Sequence, residues 1–185
     1  MEIYEQQIDD HLAMIEKCRS LLPLVGVLID ACNKAFMDGN KIMLCGNGGS
    51  AADSQHIATE LTVRFETERK GLPAIALTTD TSALTAAGND FGFERIFSRQ
   101  VQALGRSGDI LIGLTTSGNS PNIMAAFDEA RENGIATWCL TGRDGGKSKA
   151  HSDHQIIVPA NNTARIQEAH IMIGHMLCHG IDHGQ

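Results

Sequence analysis

The sequence predicts one α/β domain built on a parallel sheet, because five short apolar runs alternate with segments of helical periodicity, and two of the runs end in loops rich in Gly, Ser and Thr. The runs are Lys41 to Cys45, Pro73 to Leu77, Asp109 to Leu114, Ile135 to Leu140 and Gln155 to Val158. Each has the length and apolar continuity of a strand buried on both faces. Helices are expected over Ser50 to Phe65, Thr81 to Ala87, Glu94 to Leu104, Pro121 to Asn133 and Thr163 to Ile181, where they would serve as crossovers between parallel strands. Pro121 suits a first helical turn and Gly134 a helix stop. Ahead of the first strand, Ile8, Leu12 and Ile15, then Val27, Leu28, Ala31 and Ala35, recur at helical spacing, with Pro23 dividing two helices. No repeat or Pro/Gly/Ser-rich linker divides the chain, so residues 1–185 read as one domain: helices over 1–38 and an α/β core over 39–185. The leading helices carry apolar faces that a sheet this size does not fully cover, which predicts packing against a second copy.

Composition narrows the function. The chain has 185 residues, 42% hydrophobic and 20% charged, enough for a sizeable core. A formal charge of -7 and a pI near 5.5 argue against general binding to nucleic acid or anionic membranes. No apolar run approaches the ~20 residues that span a bilayer, and the opening residues lack the basic-then-apolar pattern of an export signal. A cytoplasmic protein is expected. Cys18, Cys32, Cys45, Cys139 and Cys178 are scattered, with no Cys-x-x-Cys pair, and read as reduced, buried thiols.

Two loops carry the first chemical signal. Gly46-Asn47-Gly48-Gly49-Ser50 lies where the first strand gives way to a helix, a place where free N–H groups attract anions and glycines admit a ligand close to the backbone. A tight turn with a serine cap uses the same residues, and the motif is neither a Walker loop nor a dinucleotide fingerprint. Thr115-Thr116-Ser117-Gly118-Asn119-Ser120-Pro121 occupies the equivalent place after the third strand, with four hydroxyls and a new helix N-terminus. Both loops fall on one sheet edge, and together they predict a cradle for a phosphate. Gly88-Asn89-Asp90 is a third candidate strand-end stretch, either a source of contacts to sugar hydroxyls or simply a polar loop.

Candidate proton handlers follow. His56 and Glu60 are four residues apart on the helix opened by Ser50 and share a face, as an ordinary exposed helical pair also does. On the last helix, Gln167 and His175 are separated by about 12 Å of rise and roughly 80° of rotation, so a single copy could hardly aim both at one small ligand. If both serve one site, two chains contribute them. His170, His179 and His183 crowd the same C-terminus, where imidazolium suits the helix dipole. His11, His151 and His154 have no evident partner in sequence.

Taken in order, Gly46-Asn47-Gly48-Gly49-Ser50, His56-x-x-x-Glu60-Leu61, Asn89-Asp90-Phe91-Gly92, Thr116-Ser117-Gly118-Asn119-Ser120, Leu140-Thr141-Gly142-x-Asp144-Gly145-Gly146 and Arg165-Ile166-Gln167-Glu168 resemble the phosphoheptose isomerases of the sugar isomerase (SIS) domain family over nearly the whole chain. That resemblance implies a flavodoxin-like five-stranded parallel sheet, a homotetramer with active sites shared between subunits, and isomerisation of sedoheptulose 7-phosphate to D-glycero-D-manno-heptose 7-phosphate for lipopolysaccharide or related glycans. It assigns phosphate contacts to Ser50, Thr115, Ser117 and Ser120, and contacts to substrate hydroxyls to Asn47, Gly48, Gly49, Asn89, Asp90, Thr116 and Gln167. Glu60 and His175 become the acid/base pair, and Glu60 also contacts substrate. Zinc is seen in the family, and its ligands would correspond to His56, Glu60, Gln167 and His175. Some relatives carry Asp where this chain has Ala164.

The implied chemistry is an enediol route in which a partly desolvated Glu60 gains basicity and acts as the carbon base. A second resemblance, through Arg64-Phe65-Glu66-Thr67-Glu68-Arg69 and Leu72-Pro73-Ala74-Ile75-Ala76-Leu77, is to the SIS protein that binds the initiator DnaA, a regulator lacking counterparts of Glu60 and His175. An isomerase of a shorter sugar phosphate is a third reading.

Overall fold

The computed structural model describes residues 1–184. Its strands are β1 (Ile42–Gly46), β2 (Ala74–Ala76), β3 (Ile110–Thr115), β4 (Ala136–Gly142) and β5 (His154–Val158), all parallel, in the order β2-β1-β3-β4-β5. All five sequence runs are therefore strands, with ends shifted by one or two residues. The helices are α1 (Glu2–Cys18), α2 (Leu22–Met37), α3 (Gly49–Thr62), α4 (Thr81–Phe91), α5 (Ser98–Leu104), α6 (Pro121–Glu132), α7 (Ser148–His151) and α8 (Thr163–His183). Pro23 lies in the first turn of α2, where its missing N–H costs nothing, and a 3₁₀ turn over Arg19–Leu21 links α1 to α2. Gly134, at φ +70°, follows the end of α6 as expected.

Side chains alternate across the sheet and divide the core into two layers. Ile42, Leu44, Ile112, Leu114, Trp138 and Leu140 face α1, α2, α3 and α8, where they meet Leu28, Ile57, Leu61, Ile166 and Ile173. Met43, Cys45, Leu111 and Cys139 face α4, α5 and α6, against Ala87, Phe97, Val101, Ile123 and Phe127. Gly113 is the residue that lets α6 come close, since a Cβ there would lie 2.5 Å from the Phe127 ring. At the sheet's amino end the buried Asp109 carboxylate accepts the N–H groups of Lys41 and Arg106 and pairs with the Lys41 ammonium, fixing the β1–β3 register.

All five cysteines are free and buried, as the sequence predicted. Burial pushes Cys139 and Cys178 up to about 12 and raises Cys18, Cys32 and Cys45 as well. Two expectations need correction. Residues 88–90 are not a strand-end loop: α4 continues to Phe91, and Asn89 and Asp90 are exposed in its last turn, bonded to each other at 2.8 Å. His170 is not a C-terminal imidazolium either. It is fully buried, with Nε2 3.2 Å from the Thr141 carbonyl, and burial lowers it to about 4.

Candidate active site

The two loops leave the sheet side by side. Gly46 pairs in register with Leu114, so β1 and β3 end together. This is the switch point of the sheet, where crossovers diverge and leave a crevice at the carboxyl ends of strands. In the first loop the chain turns so tightly that a Cβ on Gly46 would sit 2.5 Å from the Ser50 carbonyl oxygen, and Gly48 adopts φ +55°. In the second, Gly118 adopts φ +67° and packs against the Gly145–Gly146 turn, accepting the Ser148 N–H at 2.9 Å. A reciprocal amide pair, Asn47 to Asn122 at 2.9 Å and Asn122 to Asn47 at 2.8 Å, joins one loop to the other.

Capping separates these helices from two others. α4 and α8 are closed by the Asp80 and Asn162 side chains. α3 and α6, which start from the two loops, have no side-chain cap. The Ser120 hydroxyl, well placed to cap α6, instead lies 2.9 Å from the Thr115 hydroxyl, and Thr116 and Ser117 stay partly exposed. Two uncapped N-termini and a row of hydroxyls therefore converge, a donor array suited to an oxyanion.

The proton handlers meet on the crossing of α3 and α8. His56 Nε2 lies 3.2 Å from Glu60 Oε1 and 3.0 Å from His175 Nε2, so His56 stands between the carboxylate and the second imidazole. Two ring nitrogens at that distance share one proton, one ring donating and the other accepting. Phe65 stacks on His175 with ring centroids 5.6 Å apart and holds its orientation. Glu60, His56 and His175 are thus assembled within one chain.

Gln167, two turns before His175 on α8, faces the first loop. Its amide lies over Gly49, whose added Cβ would be 2.4 Å from Nε2, and it is close enough to Asp53 to influence that carboxyl. Burial raises Asp53, against the opposing effects of Gln167 and His56, and one of its oxygens is buried without a partner. Asp53 and Asn122 escaped the sequence reading, and Phe65 entered it only within the Arg64–Arg69 run, with no role beside His175. Asp53, three residues before His56, shares its helix face, and Asn122 directly follows the second motif. Nothing local marks Phe65. The remaining histidines have partners: His11 with Glu168 at 2.8 Å, His151 with Asp128 at 2.8 Å, and His154 stacked on Trp138. Asn89 and Asp90 lie exposed in the last turn of α4, bonded to each other.

Comparison with known proteins fits this geometry. Residues 4–142 match the SIS domain family. The phosphoheptose isomerase of Trichlorobacter lovleyi is 53% identical over 180 residues, covering 97% of this chain and 92% of the relative. The structures of phosphoheptose isomerases from Neisseria gonorrhoeae and Francisella tularensis superpose with TM-scores of 0.92 and 0.95 at 44% and 39% identity, each covering 98% of this chain and 97% of the other. The uncapped strand-tip cradle and the Glu60–His56–His175 line accordingly sit in a chain that belongs to the SIS domain family and, within it, to the phosphoheptose isomerases.

Proposed function

We propose that the chain isomerises sedoheptulose 7-phosphate to D-glycero-D-manno-heptose 7-phosphate, supplying heptose for lipopolysaccharide or related glycans. The observation that carries this reading is the line of Glu60, His56 and His175 in a chain whose two strand-tip helices have uncapped N-termini. The phosphate is held by Ser50, Thr115, Ser117 and Ser120, and the sugar hydroxyls by Asn47, Gly48, Gly49, Thr116 and Gln167. Glu60 takes a proton from C1 of the ketose and returns it to C2, while His175 moves the hydroxyl proton from O1 to O2. The enediol formed between the two transfers collapses to the aldose, with no net change of atoms or electrons. Anchoring the distant phosphate lowers the barrier by positioning the reacting carbons.

His56, Glu60 and His175 are two imidazoles and a carboxylate, donor types that zinc takes, with His56 3.0 Å from His175 and 3.2 Å from Glu60. Bound there, the metal would act as a Lewis acid toward the carbonyl oxygen. Gln167, which lies over Gly49 within its own chain, would join that set from the partner subunit. A homotetramer is supported by Ile3, Tyr4, Ile8 and Leu12, apolar side chains on α1 that are each at least 60% exposed. In that assembly Asn89 and Asp90 would reach the substrate of a neighbouring subunit. Among the described residues no helix is long and apolar enough to cross a membrane, which accords with work in the cytoplasm.

Purified protein incubated with sedoheptulose 7-phosphate, with and without a chelator, tests the activity through aldose formation. Glu60→Gln should still bind the substrate while turnover falls by about 10²–10⁴. An active Glu60→Gln variant removes the mechanism. Capture of DnaA by a protein without isomerase activity would favour the regulatory reading instead.

A further inference from the structure

Outside the site just described, Glu66, His179 and His183 bring one oxygen and two nitrogens within 4.8 Å of one another. From these positions we infer that the chain has an additional binding site for a divalent transition metal, best suited to Zn²⁺, between the segment after α3 and the last turn of α8. His179 and His183 are one helical turn apart, so α8 presents both rings on one face, with centroids 4.3 Å apart. The carboxylate comes from 113 residues earlier. Its Oε2 lies 2.9 Å from His179 Nδ1 and 3.6 Å from His183 Nε2. Tetrahedral zinc with bonds of about 2.0–2.1 Å separates its ligands by roughly 3.3–3.4 Å, and the two distances bracket that value.

The cluster also has a support that an accidental surface pairing lacks. Asp182, between the two histidines and buried, accepts the N–H groups of Glu66 and Thr67 at 3.0 Å each and the Arg69 guanidinium at 2.6 Å. Arg69 in turn donates to the Glu60 and Leu61 carbonyls that end α3. The backbone that presents Glu66 is thereby fixed before any ion arrives. Two imidazoles and one carboxylate select zinc, nickel, cobalt or copper over magnesium or calcium. The three side chains are each about half exposed, so the ion enters directly from solvent and keeps water in its open position. Metal at this point clips the 63–70 segment to α8, and it steadies Phe65, the neighbour of Glu66, against His175.

The test is zinc stoichiometry on the full chain. Metal-stripped wild type, His183→Asn and Glu66→Gln are dialysed against buffered Zn²⁺ and the bound metal is measured by elemental analysis. Each variant should hold one zinc fewer per chain, or hold it more than about 100-fold more weakly, beyond the 10–100-fold that loss of an outer-shell partner costs. The same drop is expected in a His56→Asn/His175→Asn background, which lacks the candidate active-site donors. There, free zinc at about 100 times Kd should raise the thermal midpoint by roughly 5–10 °C, an increase abolished by His183→Asn. Equal zinc binding by wild type, His183→Asn and Glu66→Gln overturns the inference. Loss of zinc on His56→Asn/His175→Asn alone also overturns it, while leaving the active-site metal intact as a proposal.

Discussion

Gly174 is the point at which α8 touches α3 beside both histidines, and one added methyl group there should uncouple catalysis from stability. A Cβ at this position would lie 2.5 Å from Ile57 Cδ1 and 2.6 Å from Cγ1. Apolar carbons rest at about 3.5–4.0 Å, so the contact must open by roughly 1 Å. Ile57 cannot simply swing aside, because it is 2% exposed and a β-branched side chain in a helix is held at one χ1 rotamer. The helices must therefore part, and His175 and His56 adjoin the two colliding residues. Overpacking costs about 1–3 kcal/mol, which the better helix propensity of alanine offsets by about 0.5–1 kcal/mol. A net loss of about 0–2.5 kcal/mol lowers the melting midpoint by no more than about 10 °C in a chain of this size. Opening the 3.0 Å His56–His175 contact by a similar distance takes it out of hydrogen-bond range. Misplacement on that scale costs about 10²-fold in rate. Aldose formation from sedoheptulose 7-phosphate, read beside a thermal melt of Gly174→Ala, separates the two effects. A folded variant with parental turnover would show that the contact between the imidazoles has no part in the reaction.

Ser120→Ala removes the partner of the Thr115 hydroxyl and, on the proposed function, one donor to the phosphate; KM should rise about 10-fold or more with kcat nearly unchanged, and a loss confined to kcat would contradict a binding role. His170 has a folded pKa of about 4, below its unfolded value near 6.5, so the unfolded chain takes up the proton first as pH falls. Stability should be complete above about pH 6.5 and decline toward pH 4, and urea midpoints of His170→Gln should lose part of that slope; an unchanged slope would place the acid sensitivity elsewhere. Asp182 behaves in the opposite sense: burial alone would raise it, but the Thr67 N–H, the Arg69 guanidinium and the Glu66 N–H outweigh burial and hold it at about 2. Its contribution is present above about pH 4 and lost as pH falls through 2. Asp182→Asn, which leaves the nearly buried Arg69 without its counter-charge, should cost about 3–5 kcal/mol by chemical denaturation. A change below 1 kcal/mol would mean that water replaces the carboxylate at no cost.

The sheet was legible because each strand is an unbroken apolar run and each crossover has its own helical period. The two strand-tip loops were legible for the same reason, since their position follows from where β1 and β3 end. Asn89 and Asp90 were misplaced because asparagine, aspartate and glycine are poor helix formers, and here the packing of Ala87 beneath α4 overrides that preference. His170 was misread because sequence shows its helix position but not that the sheet buries it. Pairs such as Asn47 with Asn122, Phe65 with His175 and Asp182 with Thr67 join residues far apart in the chain, and no local period encodes them. The expectation that one copy could hardly aim both Gln167 and His175 at a single ligand rests on the pitch of a helix alone. The meeting of His175 with His56 needed the packing of two helices.

The buried cysteines give the molecule a built-in gauge of its own opening. Thiolates are the species that alkylating reagents attack, and none of these five is presented to solvent in the folded chain. Modification must therefore wait for a fluctuation that exposes the sulfur. Cys45 and Cys139 lie on the α4–α6 side of the sheet, whereas Cys18, Cys32 and Cys178 lie among α1, α2 and α8. Labelling rates resolved by peptide would thus time the loosening of each layer separately, without any introduced probe.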